Sequence, residues 1–165
     1  MDIFGYIDRG GVIVYILILL NMIGFSIIFW KAWVLWTIKE GDIAYKISRH
    51  IATCGSGIGA KLLDNLLTKQ MSQLEYGLNS IKIIASISPL LGLLGTVVGV
   101  LNSFDSISHV GLGDPAVFSA GISIALITTV AGMIVAIPHL IAYNYFMGSL
   151  DKIENSIEAK VLEQL

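Results

Sequence analysis

Hydroxyl side chains are the groups with useful chemistry that this sequence places inside its most apolar stretches. Ser88 and Thr96 lie in one stretch without Asp, Glu, Lys or Arg, and Thr128 and Thr129 lie in another. A hydroxyl can hydrogen-bond a carboxylate or a bridging water, but it does not store a proton near neutral pH. These residues indicate a polar path, in which any carboxylate that carries a proton must come from a partner.

Small residues accompany these hydroxyls and recur every three or four positions, so that they share one helix face in each stretch. The first set is Ser88, Gly92, Gly95, Gly99 and Asn102, and the second is Gly121, Ala125, Thr128, Gly132 and Ala136. Small side chains let helix backbones approach closely. We therefore expect Gly92, Gly95, Gly99, Gly121, Ala125 and Gly132 to pack helices together. For Thr96 and Thr129 the pattern leaves packing and the lining of a central path both open.

His139 is a titratable side chain late in the third apolar stretch, directly after Pro138. Ionisable groups at membrane depth commonly mark proton relays. At this place, however, we expect a histidine that is either solvated or held between helices.

Other candidate sites fail on spacing or composition. The run from Cys54 to Gly59 is glycine-rich, but Lys61 is not adjacent to it, no Ser or Thr follows, and no strand precedes it, so we interpret it as a turn rather than a phosphate loop. The single cysteine excludes an intrachain disulfide. The net charge of −2 argues against a nucleic-acid partner. We predict no metal, no cofactor and no enzymatic activity.

Three long apolar stretches must position these residues. The chain is 55% hydrophobic and 13% charged, against about 25% charged for an ordinary soluble domain. Charged residues are absent from 10–30, 83–104 and 115–150. Because about 20 helical residues cross a ~30 Å hydrocarbon core, the sequence predicts an all-α membrane protein. It has three transmembrane helices, the third continuing beyond the bilayer.

Basic residues set the predicted orientation. Those in the segment 39–80 and in the tail are Lys39, Lys46, Arg49, Lys61, Lys69, Lys152 and Lys160, whereas the N-terminus has Arg9 alone. Loops rich in Lys and Arg stay in the cytoplasm, so we predict an external N-terminus and a cytoplasmic C-terminus. Trp30, Trp33 and Trp36 are expected in the lipid headgroup layer, with Lys31 and Lys39 snorkelling there.

Two segments resemble the ExbB/TolQ/MotA proton-channel family. SPLLGLLGTVVGVLNSF, from Ser88 to Phe104, is similar to the family's second span. GISIALITTVAG, from Gly121 to Gly132, continued by Ala-Ile-Pro at 136–138 and Tyr-Asn at 143–144, is similar to its third. Three spans match ExbB and TolQ, whereas MotA relatives have four, and the end of span two is closer to ExbB.

With that layout the chain is predicted to divide into seven segments. They are a periplasmic N-terminus (1–9), transmembrane helix 1 (10–38), a cytoplasmic helical hairpin (39–80), transmembrane helix 2 (81–104), a periplasmic loop (105–114), transmembrane helix 3 (115–147) and a cytoplasmic C-terminal helix (148–165). The hairpin is expected to hold a helix over 42–52 and an amphipathic helix from Lys61 that runs straight into the second span. Ile153, Ile157 and Val161 are expected to pack on that amphipathic helix.

The resemblance implies a homopentamer in a bacterial inner membrane, with spans two and three innermost around a pore and span one facing lipid. Inside it, single-span ExbD-like helices carry the aspartate that takes the proton, and proton flow energises a TonB-like protein for outer-membrane import. Thr96 and Thr129 match the family's pore threonines, and we add Thr128 and Ser88 to the predicted path. Ile124 stands where ExbB and TolQ usually have a glutamate.

Other functions fit the same features. Within the family, the chain could be a TolQ-like subunit or a stator of another motor. Outside it, a non-conducting membrane scaffold would use the small residues for packing and the hairpin for a partner. A small-solute transporter is disfavoured, because the sequence lacks inverted repeats and broken helices.

Overall fold

The computed structural model describes residues 3–37, 59–110 and 115–163, together with positions 41, 43, 45, 47 and 49. The continuous ranges form four helices, which are α1 (Ile3–Thr37), α2 (Gly59–Glu75), α3 (Leu78–Val110) and α4 (Pro115–Glu163). No strand occurs among these described residues. The predicted all-α fold class is therefore confirmed.

Three of these helices are long and apolar enough to cross a membrane. The candidate spans are Ile7–Thr37 in α1, Leu78–Ser108 in α3 and Ser119–Val161 in α4. This confirms three apolar helices of membrane-spanning length in the described part of the chain. α4 is continuous from Pro115 to Glu163, so the predicted third span and the predicted C-terminal helix form one element.

Within the described residues, glycines mark two departures from regular helix. α1 has a kink at Gly11, whose φ of 61° is readily adopted only by glycine. α2 ends at Glu75, and Gly77, with a φ of 89°, separates it from α3. The prediction that the amphipathic helix runs straight into the second span is therefore wrong, because a left-handed residue cannot continue a right-handed helix.

The structure divides into two compact units, and the first contains Met1–Ile28 and Ser80–Ala142. Its core is formed by Leu17 of α1, Ile84 of α3 and Val135 of α4. Ile13, Leu20, Leu91 and Ala131 pack around them. Each of the three long helices thus contributes one apolar side to this core.

The second unit contains Phe29–Asn79 and Tyr143–Leu165. Its core joins α2 and the end of α4 through Leu67, Met71, Ile157 and Val161, with Ile47 beside them and Ile153 packed against it. The predicted packing of the α4 tail on the amphipathic helix is confirmed. Positions 43, 45, 47 and 49 of the predicted helix over 42–52 are helical. The rest of that helix and the predicted turn, apart from Gly59, lie outside the described residues.

The prediction that the Lys31 side chain snorkels to the lipid headgroups is wrong, because the side chain is buried within the protein. The Lys31 side chain is only 2% exposed, and Nζ donates a hydrogen bond to the Tyr76 carbonyl oxygen at 2.9 Å. Nζ also lies 5.9 Å from the centre of the Trp30 ring. The Tyr76 carbonyl lies just past the end of α2, where helix carbonyls have no partner within the helix. Lys31 therefore caps α2 from α1, within the second unit.

Candidate functional site

The two helices that carry the predicted site residues, α3 and α4, meet backbone to backbone. A Cβ atom added at Gly132 would lie 2.6 Å from the Ser88 carbonyl oxygen and 3.2 Å from the Gly92 Cα. One added at Gly92 would lie 2.9 Å from the Thr128 carbonyl oxygen. Cβ atoms are essentially never found as close as 2.6 or 2.9 Å to another heavy atom, and these carbonyl oxygens belong to the backbone and cannot rotate away. Only glycine fits here on both helices.

The same close approach continues towards the N-terminal end of α4. A Cβ at Gly99 would lie 2.8 Å from the Gly121 carbonyl oxygen, and one at Gly121 would lie 2.5 Å from the Gly99 carbonyl oxygen. Ala125 is buried, and its backbone nitrogen would be 3.0 Å from the Gly99 Cβ. The small residues singled out in the sequence therefore contact each other along one continuous seam, which we call the glycine seam.

Thr128 and Ser88 lie inside the glycine seam and are fully buried in the protomer. The Thr128 side chain occupies the space beside Gly95, where a Cβ would overlap it. Its Oγ1 donates to the Ala125 carbonyl at 2.9 Å, and Ser88 Oγ donates to the Ile84 carbonyl at 2.7 Å. Both hydroxyl protons are thus used within their own helices. Such bonds satisfy a buried hydroxyl without any partner from another helix.

Thr96 and Thr129 lie at the edge of the glycine seam and are half-buried. Thr96 Oγ1 donates to the Leu93 carbonyl at 2.6 Å, and Thr129 Oγ1 donates to the Ala125 carbonyl at 3.1 Å. Each hydroxyl oxygen retains acceptor capacity. These oxygens can accept a hydrogen bond from water or from a protonated carboxyl, and a rotated hydroxyl can donate to a carboxylate.

The surface around the two edge threonines is apolar. On α3 the exposed side chains include Leu93 and Val97, and on α4 they include Leu126 and Val130. Ile124 is half-buried one turn before Thr128, whose hydroxyl also lies 3.1 Å from the Ile124 carbonyl oxygen. The chain itself thus places no carboxylate in this part of α3 or α4, since residues 83–104 and 115–150 contain none.

His139 is held between helices rather than solvated, so the second of its two predicted environments is confirmed. The side chain is fully buried, and Nδ1 lies 2.7 Å from the Val135 carbonyl oxygen. Its ring meets the Phe25 ring edge-on, with centroids 5.2 Å apart. A Cβ at Gly24 of α1 would overlap the imidazole.

Sequence reasoning did not single out Gly24, because it lies in a helix of bulky residues. A small residue among them was the available signal. Among the described residues, no group of three or more His, Cys, Asp or Glu could hold a metal ion.

Comparison with known proteins places this geometry in context. Residues 44–159 match the MotA/TolQ/ExbB proton channel family. An ExbB homolog of Methanothermobacter thermautotrophicus is 35% identical over 96 residues, covering 58% of this chain and 34% of that protein. The Tol-Pal system protein TolQ of Pseudomonas aeruginosa is 38% identical over 87 residues, covering 53% of this chain and 38% of that protein.

The biopolymer transport protein ExbB of Salmonella typhimurium is also similar, at 40% identity over 82 residues, covering 48% of this chain and 34% of that protein. The matched part thus spans little more than a third of the length of these relatives.

Proposed function

This chain belongs to the MotA/TolQ/ExbB proton channel family, and we propose that it is an ExbB-like subunit of an inner-membrane proton channel. In this proposal it works with an ExbD-like single-span partner and uses the proton motive force to energise a TonB-like protein for outer-membrane import. The N-terminus lies in the periplasm and the C-terminus in the cytoplasm, in accordance with the distribution of basic residues.

The observation that carries the proposal is the position of Thr96 and Thr129 at the edge of the glycine seam. The seam joins α3 and α4 by backbone contacts that leave little freedom to rotate. Hydroxyls on such a pair are held in place, which is what a proton route needs from groups that do not themselves titrate. The missing carboxylate then comes from the aspartate of the partner.

A ring of subunits, which we propose to be a pentamer, gives α3 and α4 their function. In that ring the edges of the glycine seam face a central pore and span one faces lipid. Thr96 and Thr129 lie on the pore side at the height of the partner's aspartate. Ser88 and Thr128, buried in the protomer, support this route by filling the seam and fixing the rotation of the two helices.

A TolQ-like role is the second candidate, and the similarity to a Tol-Pal system protein favours it. The same channel chemistry would then serve another periplasm-spanning partner. Complementation separates the two roles. An ExbB-like subunit restores TonB-dependent uptake in a strain without exbB, and a TolQ-like subunit restores envelope integrity in a strain without tolQ.

Proton uptake into proteoliposomes that contain the chain and its partner tests the hydroxyl route. Replacing Thr129 with Val keeps the volume and removes the hydroxyl. We expect a 2- to 10-fold lower rate, corresponding to one lost hydrogen bond of about 0.5–1.5 kcal/mol. Thr96→Val should lower the rate similarly. Ile124→Glu, which restores the usual family residue, should leave the rate unchanged.

Thr37→Val is the matched control, because Thr37 is exposed near the end of α1 and donates the same kind of backbone bond, to the Trp33 carbonyl at 2.8 Å. It should conduct like the unmodified chain. If Thr96→Val and Thr129→Val both retain full partner-dependent uptake, the hydroxyl route is wrong and these threonines only pack.

A further inference from the structure

His139 is a buried titratable group that the hydroxyl route does not use. It lies on α4 where α1 crosses it, and its fully buried ring fills the notch left by Gly24. The edge of Phe25 covers the ring from the same helix. The contact belongs entirely to the first compact unit.

The hydrogen bond of Nδ1 fixes the tautomer of the neutral docked ring. The Val135 carbonyl oxygen, 2.7 Å away, can only accept, so Nδ1 carries the proton and donates it. In the neutral imidazole Nε2 is then an unprotonated acceptor. Nε2 is buried without a hydrogen-bond partner among the described residues, and it points at the place where a Gly24 Cβ would be.

A proton added to Nε2 would have no hydrogen-bond acceptor among the described residues in this arrangement. The new N–H would point at the backbone of Gly24, whose Cα is not an acceptor, and the ring would carry a positive charge in an apolar contact. Burying an unpaired charge is costly, so the protonated ring is stable only after it leaves the notch. Proton binding at Nε2 and docking of α1 therefore oppose each other.

In the part of the chain that the structure describes, the groups that contact His139 are uncharged. From α1 the ring is met by Gly24 and Phe25, and from α4 by the Val135 carbonyl, none of which titrates. Asp, Glu, Lys and Arg are absent from 10–30, 83–104 and 115–150, which include the facing parts of all three long helices. Lys31, the first charged residue after Gly24 on α1, donates to the Tyr76 carbonyl. Tyr143 lies one turn further along α4.

We propose that His139 Nε2 is a proton-binding site of this chain, and that its protonation loosens the contact between α1 and α4 around Gly24. The site lies apart from the edge threonines and requires neither the partner nor proton flow. It therefore goes beyond the proposed channel function and makes α1 a proton-responsive element of the subunit.

Distance measurements by electron paramagnetic resonance on the chain alone, in nanodiscs, test the site. Spin labels are attached to Met22→Cys on α1 and Ile141→Cys on α4, both of which replace exposed residues, in a Cys54→Ser background. Between pH 8 and pH 5, where imidazoles titrate, the longer-distance population should grow. One linked proton allows at most about a tenfold change in that population ratio per pH unit.

Two variants make the test specific. His139→Asn can still donate to the Val135 carbonyl but does not titrate, so its distances should not change with pH. Gly24→Ala should show the longer distance already at pH 8, because the added methyl displaces the ring. Gly148→Ala, on α4 with open space around it, is the matched control and should behave like the unmodified protein.

Two results would overturn the proposal. The first is an unmodified protein whose distances do not change with pH. The second is the same pH dependence in His139→Asn, which would assign it to His50, to His109 or to another group. Neither result depends on partner-dependent proton uptake. The His139 proposal can therefore be contradicted while the channel function stands, and the channel function can be contradicted while the His139 proposal stands.

Discussion

α3 and α1 are attached to their neighbours in opposite ways. α3 contacts α4 directly through backbone atoms, because Gly92, Gly99, Gly121 and Gly132 have no side chains to keep the two helices apart. α1 packs through apolar side chains such as Leu17, and two polar side chains add to this contact, His139 in the first unit and its own Lys31 in the second. A contact between backbone atoms can be broken only by moving a whole helix, whereas a side chain can leave its contact by rotating about its own bonds. The first contact is therefore suited to a fixed frame and the second to a joint that opens.

The largest effect is expected from breaking the glycine seam. In Gly132→Val the added atoms meet the Ser88 carbonyl and the Gly92 Cα, so the helices must separate. Overpacking a core costs about 1–3 kcal/mol, and more where backbone cannot move. We expect a loss of at least about 3 kcal/mol in unfolding free energy, measured by denaturant titration in mixed micelles. Gly148→Val, at an open position of the same helix, controls for helix propensity and should cost less than about 1 kcal/mol.

The second effect concerns the capping of α2 by α1. Lys31→Met keeps the length of the side chain but removes the ammonium that the Tyr76 carbonyl accepts from. Hydrogen bonds to charged groups contribute about 1.5–3 kcal/mol, and we expect a loss within that range. Amide exchange of the last turn of α2 should accelerate with it. Lys69→Met, at an exposed position on α2, should leave both unchanged, and an equal effect of the two substitutions would contradict the capping role.

The smallest effect is expected from adding a single methyl group to each of the two kinds of contact. The atoms nearest to an alanine Cβ at Gly24 belong to the imidazole of His139, whereas those nearest to an alanine Cβ at Gly132 are backbone atoms. Because the imidazole can rotate away, Gly24→Ala should lose about 1 kcal/mol, the value of one hydrogen bond, and Gly132→Ala should lose more. Thermal unfolding of both variants at pH 8 measures the order. The reverse order would show that α1 is the more rigidly held helix.

The general layout could be predicted from the sequence because its signals are local. Uncharged runs of more than 20 residues already specify three apolar helices, and the spacing of Ile153, Ile157 and Val161 specifies the face that α4 buries. The recurrence of glycine identified the residues of the seam. All of these follow from helix periodicity and from the cost of charge in lipid.

What the sequence did not reveal depends on contacts between distant segments. Lys31 beside Trp30 resembles an interfacial lysine until α2 brings the Tyr76 carbonyl to it. The need for glycine at position 24 becomes apparent only when the structure shows the His139 imidazole where a Cβ atom would be. The break at Gly77 was missed because apolar periodicity continues from Leu74 to Leu78 across it. The φ angle of a single glycine cannot be predicted from a pattern of residue types.

Partner dependence of proton uptake tests the central claim most directly. Proteoliposomes are prepared with the chain alone, with an ExbD-like single-span protein alone, and with both, and internal acidification is followed under an imposed potential. The account predicts rapid uptake only when both proteins are present, because the chain supplies hydroxyls and the partner supplies the carboxylate. Equal uptake by the chain alone, or no uptake by an assembled complex of the two, would contradict it.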